Sequence, residues 1–184
     1  MAIKNSGRLA LAGVVTALAL VFMLLTAVIP PSTVALAAAA GLCGIPVVME
    51  IGRAKALLHY AAVSILSILL VPAIGGKILY VGFFGYYTIF KAWVENKRLS
   101  PKWEWIIKIS LFLLLSVAGC LLLVRLPWAE KLPFITGDFL TALAFLFCAV
   151  IATAVLIVYD RCITGLVSLY HVRLRPRLRR LFRF

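Results

Sequence analysis

The chain has 184 residues, of which 65% are hydrophobic and only 14% are charged, and its formal net charge is +13. Soluble globular domains are about 45–50% apolar and about 25% charged, so this composition excludes a soluble domain and indicates an integral membrane protein. The first apolar run is longer than the h-region of a signal peptide, about 7–15 residues, and we therefore expect a retained helix.

Six apolar segments predict six membrane-spanning helices, because a lipid-exposed backbone must satisfy its own hydrogen bonds within a helix. The predicted spans are 9–29, 32–49, 56–76, 77–91, 103–124 and 139–159. We therefore expect an all-α polytopic membrane protein with a transmembrane domain over residues 1–160. Residues 161–184 would form a basic cytoplasmic tail, either a plain topology anchor or an interfacial helix interrupted by Pro176.

The fourth segment is unusual in both length and composition. Only thirteen residues separate Lys77 from Lys91, whereas a spanning helix needs roughly 20. The segment also contains two glycines and three tyrosines: Gly82, Gly85, Tyr80, Tyr86 and Tyr87. Glycine admits a neighbouring helix or a ligand to the backbone, and a buried tyrosine hydroxyl needs a hydrogen-bond partner. The pattern fits the wall of a pocket, and it fits close helix packing equally well.

The positive charges are distributed asymmetrically along the predicted topology. Sixteen of the lysines and arginines fall at the N-terminus, in the second–third and fourth–fifth connections and in the tail. Lys77, Arg125 and Lys131 are the three on the opposite side. The positive-inside rule therefore predicts cytoplasmic N- and C-termini in a bacterial plasma membrane. The tail would lie against anionic lipids, each charge contributing about 1 kcal/mol, and this accounts for the net charge without a nucleic-acid partner.

Few residues are suited to catalysis or metal binding. The six acidic residues lie near predicted helix ends, the histidines are His59 and His171, and neither HExxH nor GxSxG occurs. Three of the four cysteines lie in apolar runs and none forms a CxxC pair, so we interpret them as small buried hydrophobic residues. We expect no enzymatic activity, no metal and no cofactor.

Charged residues near the cytoplasmic helix ends allow two interpretations. Glu50, Lys91, Glu95 and Lys108 could form ion pairs that fix helix ends, or they could couple the protein to protons. His59 could likewise be a hydrogen-bonded packing residue or a switch. The structural interpretation is favoured in both cases.

Small residues recur on the first helix at a spacing of four. Gly13 and Ala17 form one pair, and Ala12 and Thr16 form another. Such residues give a smooth stripe that another helix can approach closely, either within the same bundle or from a partner.

The six short helices, the cytoplasmic termini, the basic tail and the stripe on the first helix resemble the S component of an energy-coupling factor transporter. The stretches PAIGGKILYVGFFGYYTIFKAWVE and WEWIIKISLF also resemble small bacterial membrane proteins of that superfamily, with Thr88 where that group has proline. The resemblance implies an S-component-like bundle that binds a vitamin or similar micronutrient and topples in the membrane. It also implies a membrane T subunit and two ATPase partners.

The resemblance also implies the positions of two sites. The stripe that contacts the T subunit maps to Gly13, Ala17 and Val21. The outer ligand chamber would gather aromatic and polar residues of the later helices: Tyr80, Phe83, Phe84, Trp128, Lys131 and Asp138. Two alternatives remain open, a non-transporting scaffold that recruits cell-envelope or cytoplasmic partners and, less favoured, an enzyme of lipid metabolism.

Overall fold

The computed structural model describes residues 2–97, 100–124 and 139–174, and every regular element within these ranges is helical. The helices are α1 Ala2–Val28, α2 Thr33–Leu42, α3 Gly44–Glu50, α4 Arg53–Leu70, α5 Ile74–Leu79, α6 Gly85–Asn96, α7 Pro101–Val124 and α8 Phe139–Leu169. A 3-10 turn, Pro30–Ser32, links α1 to α2, and the π-helical segments are Tyr80–Phe84 and Tyr170–Leu174.

Helices occupy all six predicted segments. Among the described residues, four stretches are long and apolar enough to cross a membrane: Gly7–Val28, Pro30–Glu50, Arg53–Leu70 and Val150–Leu169. The fourth and fifth predicted segments are also helical. The prediction of an all-α membrane protein is therefore confirmed.

Two prolines determine the turn between α1 and α2. Pro30 and Pro31 have no backbone N–H and cannot continue the hydrogen-bonding pattern of α1. The Ile29 N–H still donates to the Leu25 carbonyl at 3.0 Å, and the Ser32 N–H then donates to the Ile29 carbonyl at 3.1 Å. This short turn makes α1 and α2 a tight helical hairpin.

The second predicted span is divided into α2 and α3. Pro46 cannot donate a hydrogen bond to the carbonyl of Leu42, and α2 ends at Leu42. After α3, Gly52 has a φ of 104°, a left-handed conformation that favours glycine, and its N–H donates to the Val47 carbonyl at 3.1 Å. This conformation allows α4 to begin at Arg53, immediately after the turn.

A hydrophobic cluster joins the first three predicted spans. It is formed by buried Leu11 and Val15 of α1, Val47 of α3 and Ala56 of α4. Within a membrane, where lipid is as apolar as these side chains, van der Waals contact between closely packed side chains stabilises such a cluster. The cluster fixes the inward face of α1 and thereby leaves the opposite face of that helix outside.

The helix at the fourth predicted segment is longer than the distance from Lys77 to Lys91 indicated. Pro72 ends α4 early, at Leu70, and the chain becomes helical again at Ile74. Residues 74–96 then form one continuous helical segment, about 34 Å long at 1.5 Å per residue. Lys77 and Lys91 therefore lie within the helix and do not mark its ends.

The last helix, α8, continues beyond the predicted end of the sixth span. It has 31 residues, about 46 Å of helix, and it passes through the predicted boundary between residues 160 and 161. The chain divides into two compact units, residues 1–98 with 162–184 and residues 99–161. Helix α8 begins in the second unit and ends in the first.

Candidate functional site

The aromatic residues expected to line an outer chamber lie in the interior of the first unit. Tyr80 and Phe84 are each 1% exposed, and Phe83 is half-buried. The rings of Phe83 and Phe84 meet edge to face with centroids 5.0 Å apart. The Tyr80 ring lies 6.2 Å from that of Tyr60 on α4. Tyr80 therefore packs against α4, whereas Phe83 and Phe84 pack against each other.

Gly85 permits this close packing. A Cβ on Gly85 would lie 2.6 Å from Cδ2 of Tyr60 and 2.9 Å from Cε1 of Tyr80, so a larger residue would collide with both rings. The Tyr60 hydroxyl also donates a 2.7 Å hydrogen bond to the carbonyl of Val81, within the π-helical segment. Of the two interpretations of the glycines and tyrosines, close helix packing describes the contacts around Tyr60.

The other expected chamber residues, Trp128, Lys131 and Asp138, lie outside the described residues, and their role stays a prediction. The described part of the first unit has depressions on its surface, and the three considered below are not lined by Tyr80 or Phe84. The structure therefore directs attention to other residues as ligand contacts.

The first depression, which we call the turn depression, opens where the α1–α2 turn meets the α4–α5 turn. Its volume is about 330 Å³, and it is lined by Thr26, Ala27, Pro30, Thr33, Pro72, Ala73, Gly75 and Gly76. The Thr26 hydroxyl donates to the Met23 carbonyl at 2.6 Å, and the Thr33 hydroxyl donates to the Pro30 carbonyl at 2.7 Å. Each hydroxyl oxygen can still accept a hydrogen bond, so the depression offers acceptors on an otherwise apolar wall.

The second depression, which we call the Thr88 cavity, has a volume of about 80 Å³. It is lined by Ile45, Val48, Met49, Thr88, Lys91, Ala92, Glu95, Ile163 and Val167. The third is an apolar groove of about 390 Å³ between α4 and α6, lined by Arg53, Ala54, Leu57, Tyr86, Ile89, Phe90 and Trp93. The Thr88 cavity is the one of these three that combines a buried ammonium group with a buried hydroxyl.

Helix α1 has two distinct faces. Its inward face carries buried Leu11, Val15, Ala19 and Met23. The stripe assigned to a partner, Gly13, Ala17 and Val21, lies on the exposed face. A Cβ added at Gly13 would meet no atom within 4 Å among the described residues. The stripe therefore does not serve packing within the first unit, where the described side chains leave it open.

Two buried polar side chains of the first unit, those of His59 and Lys91, contact polar groups on other residues. His59 Nδ1 lies 2.8 Å from the hydroxyl oxygen of Thr16, which joins α4 to α1. Lys91, only 2% exposed, donates to the Thr164 hydroxyl at 2.8 Å and lies 3.3 Å from a carboxylate oxygen of Glu95. His59 is thus a hydrogen-bonded packing residue, as the sequence favoured. Thr88 and Thr164 were not predicted from the sequence, although the spacing of three residues between Thr88 and Lys91 was an available signal.

The second unit contains a different ion pair. Lys108 Nζ of α7 lies 3.1 Å from Oδ1 of Asp160 on α8, and both side chains are almost fully buried. The Trp105 ring lies near two cations, with Lys108 Nζ 5.7 Å and the Arg161 guanidinium 6.0 Å from its centroid. The ion-pair interpretation of Lys108 is confirmed, and its partner is Asp160, the residue directly after the predicted sixth span.

No group of three or more histidine, cysteine, aspartate or glutamate residues is placed to hold a metal ion within the part of the chain that the structure describes. The chain matches no protein-family model, no curated protein and no solved structure in the three comparisons made. The candidate functional features are the buried side chains of His59 and Lys91, the turn depression and the exposed face of α1.

Proposed function

We propose that the protein is the substrate-binding subunit of a membrane uptake transporter, as its resemblance to S components implies. It would bind a small micronutrient from outside the cell and work with a separate membrane subunit and two ATPase subunits. The observation that carries this proposal is the turn depression, since a binding subunit needs a concave site on the side from which its ligand arrives.

The predicted orientation places this depression on the outer side. Both turns that form it, at Pro30 and at Pro72, connect helices at the end opposite the basic connections. The ligand site would then lie at the turn depression, where the Thr33 hydroxyl is accessible, instead of around Tyr80 and Phe84. A mostly apolar wall with a few acceptors suits a small molecule that carries hydroxyl or amide donors.

The exposed stripe of α1 supports a partner in the membrane. Gly13 and Ala17 offer a smooth surface that the described part of the first unit leaves uncovered. Small residues at this spacing let a second helix approach closely, and in lipid this close packing is a main source of helix association. We propose that the membrane partner contacts this stripe.

The packing of Tyr80 and Phe84 favours a second candidate function, a non-transporting membrane scaffold. Both rings are 1% exposed and fill the interior where a chamber had been expected. A scaffold would use the stripe on α1 and would need no ligand in the turn depression. The two functions therefore differ in whether a small molecule binds.

Ligand binding can be tested by filling the turn depression. Among the described residues, a Cβ at Gly75 would meet only the Thr33 methyl, at 4.0 Å, so Gly75→Leu should place its side chain in the depression without a backbone clash. Mass spectrometry of the purified protein should find a small molecule that Gly75→Leu loses. Gly82→Leu is the matched control, because Gly82 is exposed on the same helical segment and has no neighbour within 4 Å among the described residues. Retention of the ligand by Gly75→Leu, or no ligand in the native protein, favours the scaffold.

Partner binding can be tested on α1 separately. The double variant Gly13→Leu, Ala17→Leu should retain the fold, because both positions are exposed, and should lose the membrane proteins that copurify with the native chain. Val14→Leu, also on the exposed face, is the control and should retain them. Unchanged copurification by the double variant would remove the stripe from the proposal.

A further inference from the structure

The apolar groove of about 390 Å³ between α4 and α6 shares no lining residue with the turn depression or with the stripe on α1. Its lining residues come from both helices: Arg53, Ala54, Leu57, Tyr86, Ile89, Phe90 and Trp93. Leu57 is 55% exposed and Trp93 is 43% exposed, so the described part of the chain leaves the groove open. In a chain that spans a membrane, such a groove faces either lipid or a partner.

Positive charge is concentrated at one end of this groove. Arg53 is the first residue of α4, and Trp93 lies in the last turn of α6. The lining is almost entirely apolar, so Arg53 contributes its hydrocarbon stem and its guanidinium extends away from the groove. The Lys97 ammonium lies 3.9 Å from the centroid of the Trp93 ring. No acidic side chain is among the described residues that line the groove, and the nearby Glu95 pairs with Lys91 at the Thr88 cavity.

The groove is closed at its other end and is short. There the Tyr86 ring meets the Tyr60 ring of α4 edge to face, with centroids 6.3 Å apart. Trp93 and Tyr86 are seven residues apart, about 10 Å of helix at 1.5 Å per residue. A membrane-spanning partner helix is about 30 Å long and packs best against small residues, whereas most of these lining side chains are large. The dimensions therefore favour part of one lipid acyl chain as the occupant.

The predicted topology puts the charged end of the groove among lipid headgroups. Arg53 and Lys97 belong to two basic connections that the positive-inside rule assigns to the cytoplasm, and tryptophan is enriched at membrane–water interfaces. The cytoplasmic leaflet contains anionic lipids. A guanidinium can pair with a phosphate through two parallel hydrogen bonds, and an ammonium adds a point charge. A zwitterionic headgroup carries its own cation, which Arg53 and Lys97 repel, so the site should select an anionic headgroup.

We propose that the groove between α4 and α6 binds one anionic phospholipid. Its phosphate pairs with Arg53 and Lys97, and part of one acyl chain lies against Leu57 and Phe90. The basic tail attracts headgroups by charge alone, whereas this site also holds a chain and therefore fixes the lipid at one place on the protein. The proposal does not depend on an uptake function.

Fluorescence quenching of Trp93 tests the site while the groove stays intact. The chain has four tryptophans, and Trp103→Phe, Trp105→Phe and Trp128→Phe together leave only Trp93. This protein is placed in phosphatidylcholine nanodiscs that contain increasing fractions of a lipid with a brominated acyl chain, which quenches tryptophan on contact. Brominated phosphatidylglycerol should reach half-maximal quenching at a mole fraction about fivefold or more below that of brominated phosphatidylcholine. Identical curves for the two lipids would mean ordinary boundary lipid and would overturn the proposal.

Two pairs of charge substitutions separate the headgroup contact from the attraction of a basic protein. In the same protein, Arg53→Gln with Lys97→Gln should raise the half-quenching fraction of phosphatidylglycerol to that of phosphatidylcholine, each curve being normalised to its own unquenched intensity. Lys55→Gln with Lys102→Gln removes the same charge from two exposed positions that do not line the groove, and should leave the preference unchanged. An equal loss of preference in both double variants would show that net charge alone attracts the lipid, which contradicts a defined site.

Filling the groove tests the contact with the acyl chain. Ala54 is an exposed lining residue, so Ala54→Phe should occupy the groove and abolish the preference for phosphatidylglycerol. Ala62→Phe is the matched control, because Ala62 is also exposed on α4 but lies outside the groove, and it should keep the preference. If Ala54→Phe leaves the quenching curves unchanged, no chain lies in the groove and the proposal fails. If it instead removes a copurifying protein, the groove binds a protein and not a lipid.

Discussion

Lys91 and Lys108 are both almost fully buried, yet their ammonium groups are neutralised differently. Lys108 lies 3.1 Å from Asp160, whose side chain is only 5% exposed, so both charges of this pair are removed from water. Lys91 lies 3.3 Å from Glu95, whose side chain is 46% exposed and adjoins the Thr88 cavity. The first pair is closed to solvent, whereas the second is open to it on one side.

The difference in solvent access determines how much each ion pair contributes to stability. The Lys108 pair connects α7 to α8 within the second unit, and each charge depends on the other because water does not reach them. The Lys91 pair lies within α6, and Glu95 keeps much of its hydration. A closed pair should therefore be sensitive to the loss of one partner, and an open pair should be tolerant.

The largest expected effect follows removal of the Asp160 charge. Asp160→Asn leaves the Lys108 ammonium buried without its counter-charge and should lower the free energy of unfolding by about 3–5 kcal/mol. Denaturant or thermal unfolding in detergent measures this loss. Lys108→Met with Asp160→Leu removes both charges and should recover most of the stability. A single Asp160→Asn variant within about 1 kcal/mol of the native protein would show that solvent reaches the pair, which contradicts the burial of both side chains.

The sequence predicted the helices better than it predicted this pair. Proline positions and charge-free runs are local properties, and they placed helices in all six spans. The Lys108–Asp160 pair was not predicted, because the predicted sixth span ends at residue 159. The hydropathy falls at the next two residues, Asp160 and Arg161. The helix nevertheless continues to Leu169, since a buried partner on α7 compensates the charge of Asp160. Compensation of this kind depends on a residue 52 positions away and leaves no local signal.

The same reasoning explains why the aromatic segment stayed ambiguous. Glycine and tyrosine at residues 80–87 indicated a close approach, and Gly85 makes one. Whether the approaching group was a ligand or a helix depended on Tyr60, which lies on a different helix. Composition can therefore predict that a close contact occurs, but the identity of the partner follows from the tertiary fold.

The packing of Gly85 against the rings of Tyr60 and Tyr80 involves no charge, so a substitution there measures the effect of packing alone. Gly85→Ala places a Cβ 2.6 Å from the Tyr60 ring, so the rings of Tyr60 and Tyr80 must move, at a cost of about 1–3 kcal/mol in unfolding free energy. Gly82→Ala is the matched control, because Gly82 is exposed and has open space beside it among the described residues. Gly82→Ala should change stability by no more than about 1 kcal/mol, and in the stabilising direction. Equal destabilisation by both variants would mean that the backbone of residues 82–85, and not the Tyr60 contact, requires glycine.

The smallest expected effect is at the open pair. Glu95→Gln removes the counter-charge of Lys91, but the glutamine oxygen can still accept a hydrogen bond, and Thr164 keeps its contact with the ammonium group. We therefore expect a loss of at most about 1 kcal/mol in the free energy of unfolding, the range for exposed ion pairs. This loss should shrink further in about 1 M salt, where the screening length falls to about 3 Å, because solvent ions reach Glu95. The loss from Asp160→Asn should persist at that salt concentration, since its pair is closed. If salt reduces both losses equally, the two lysines share one environment and the distinction between an open and a closed pair is wrong.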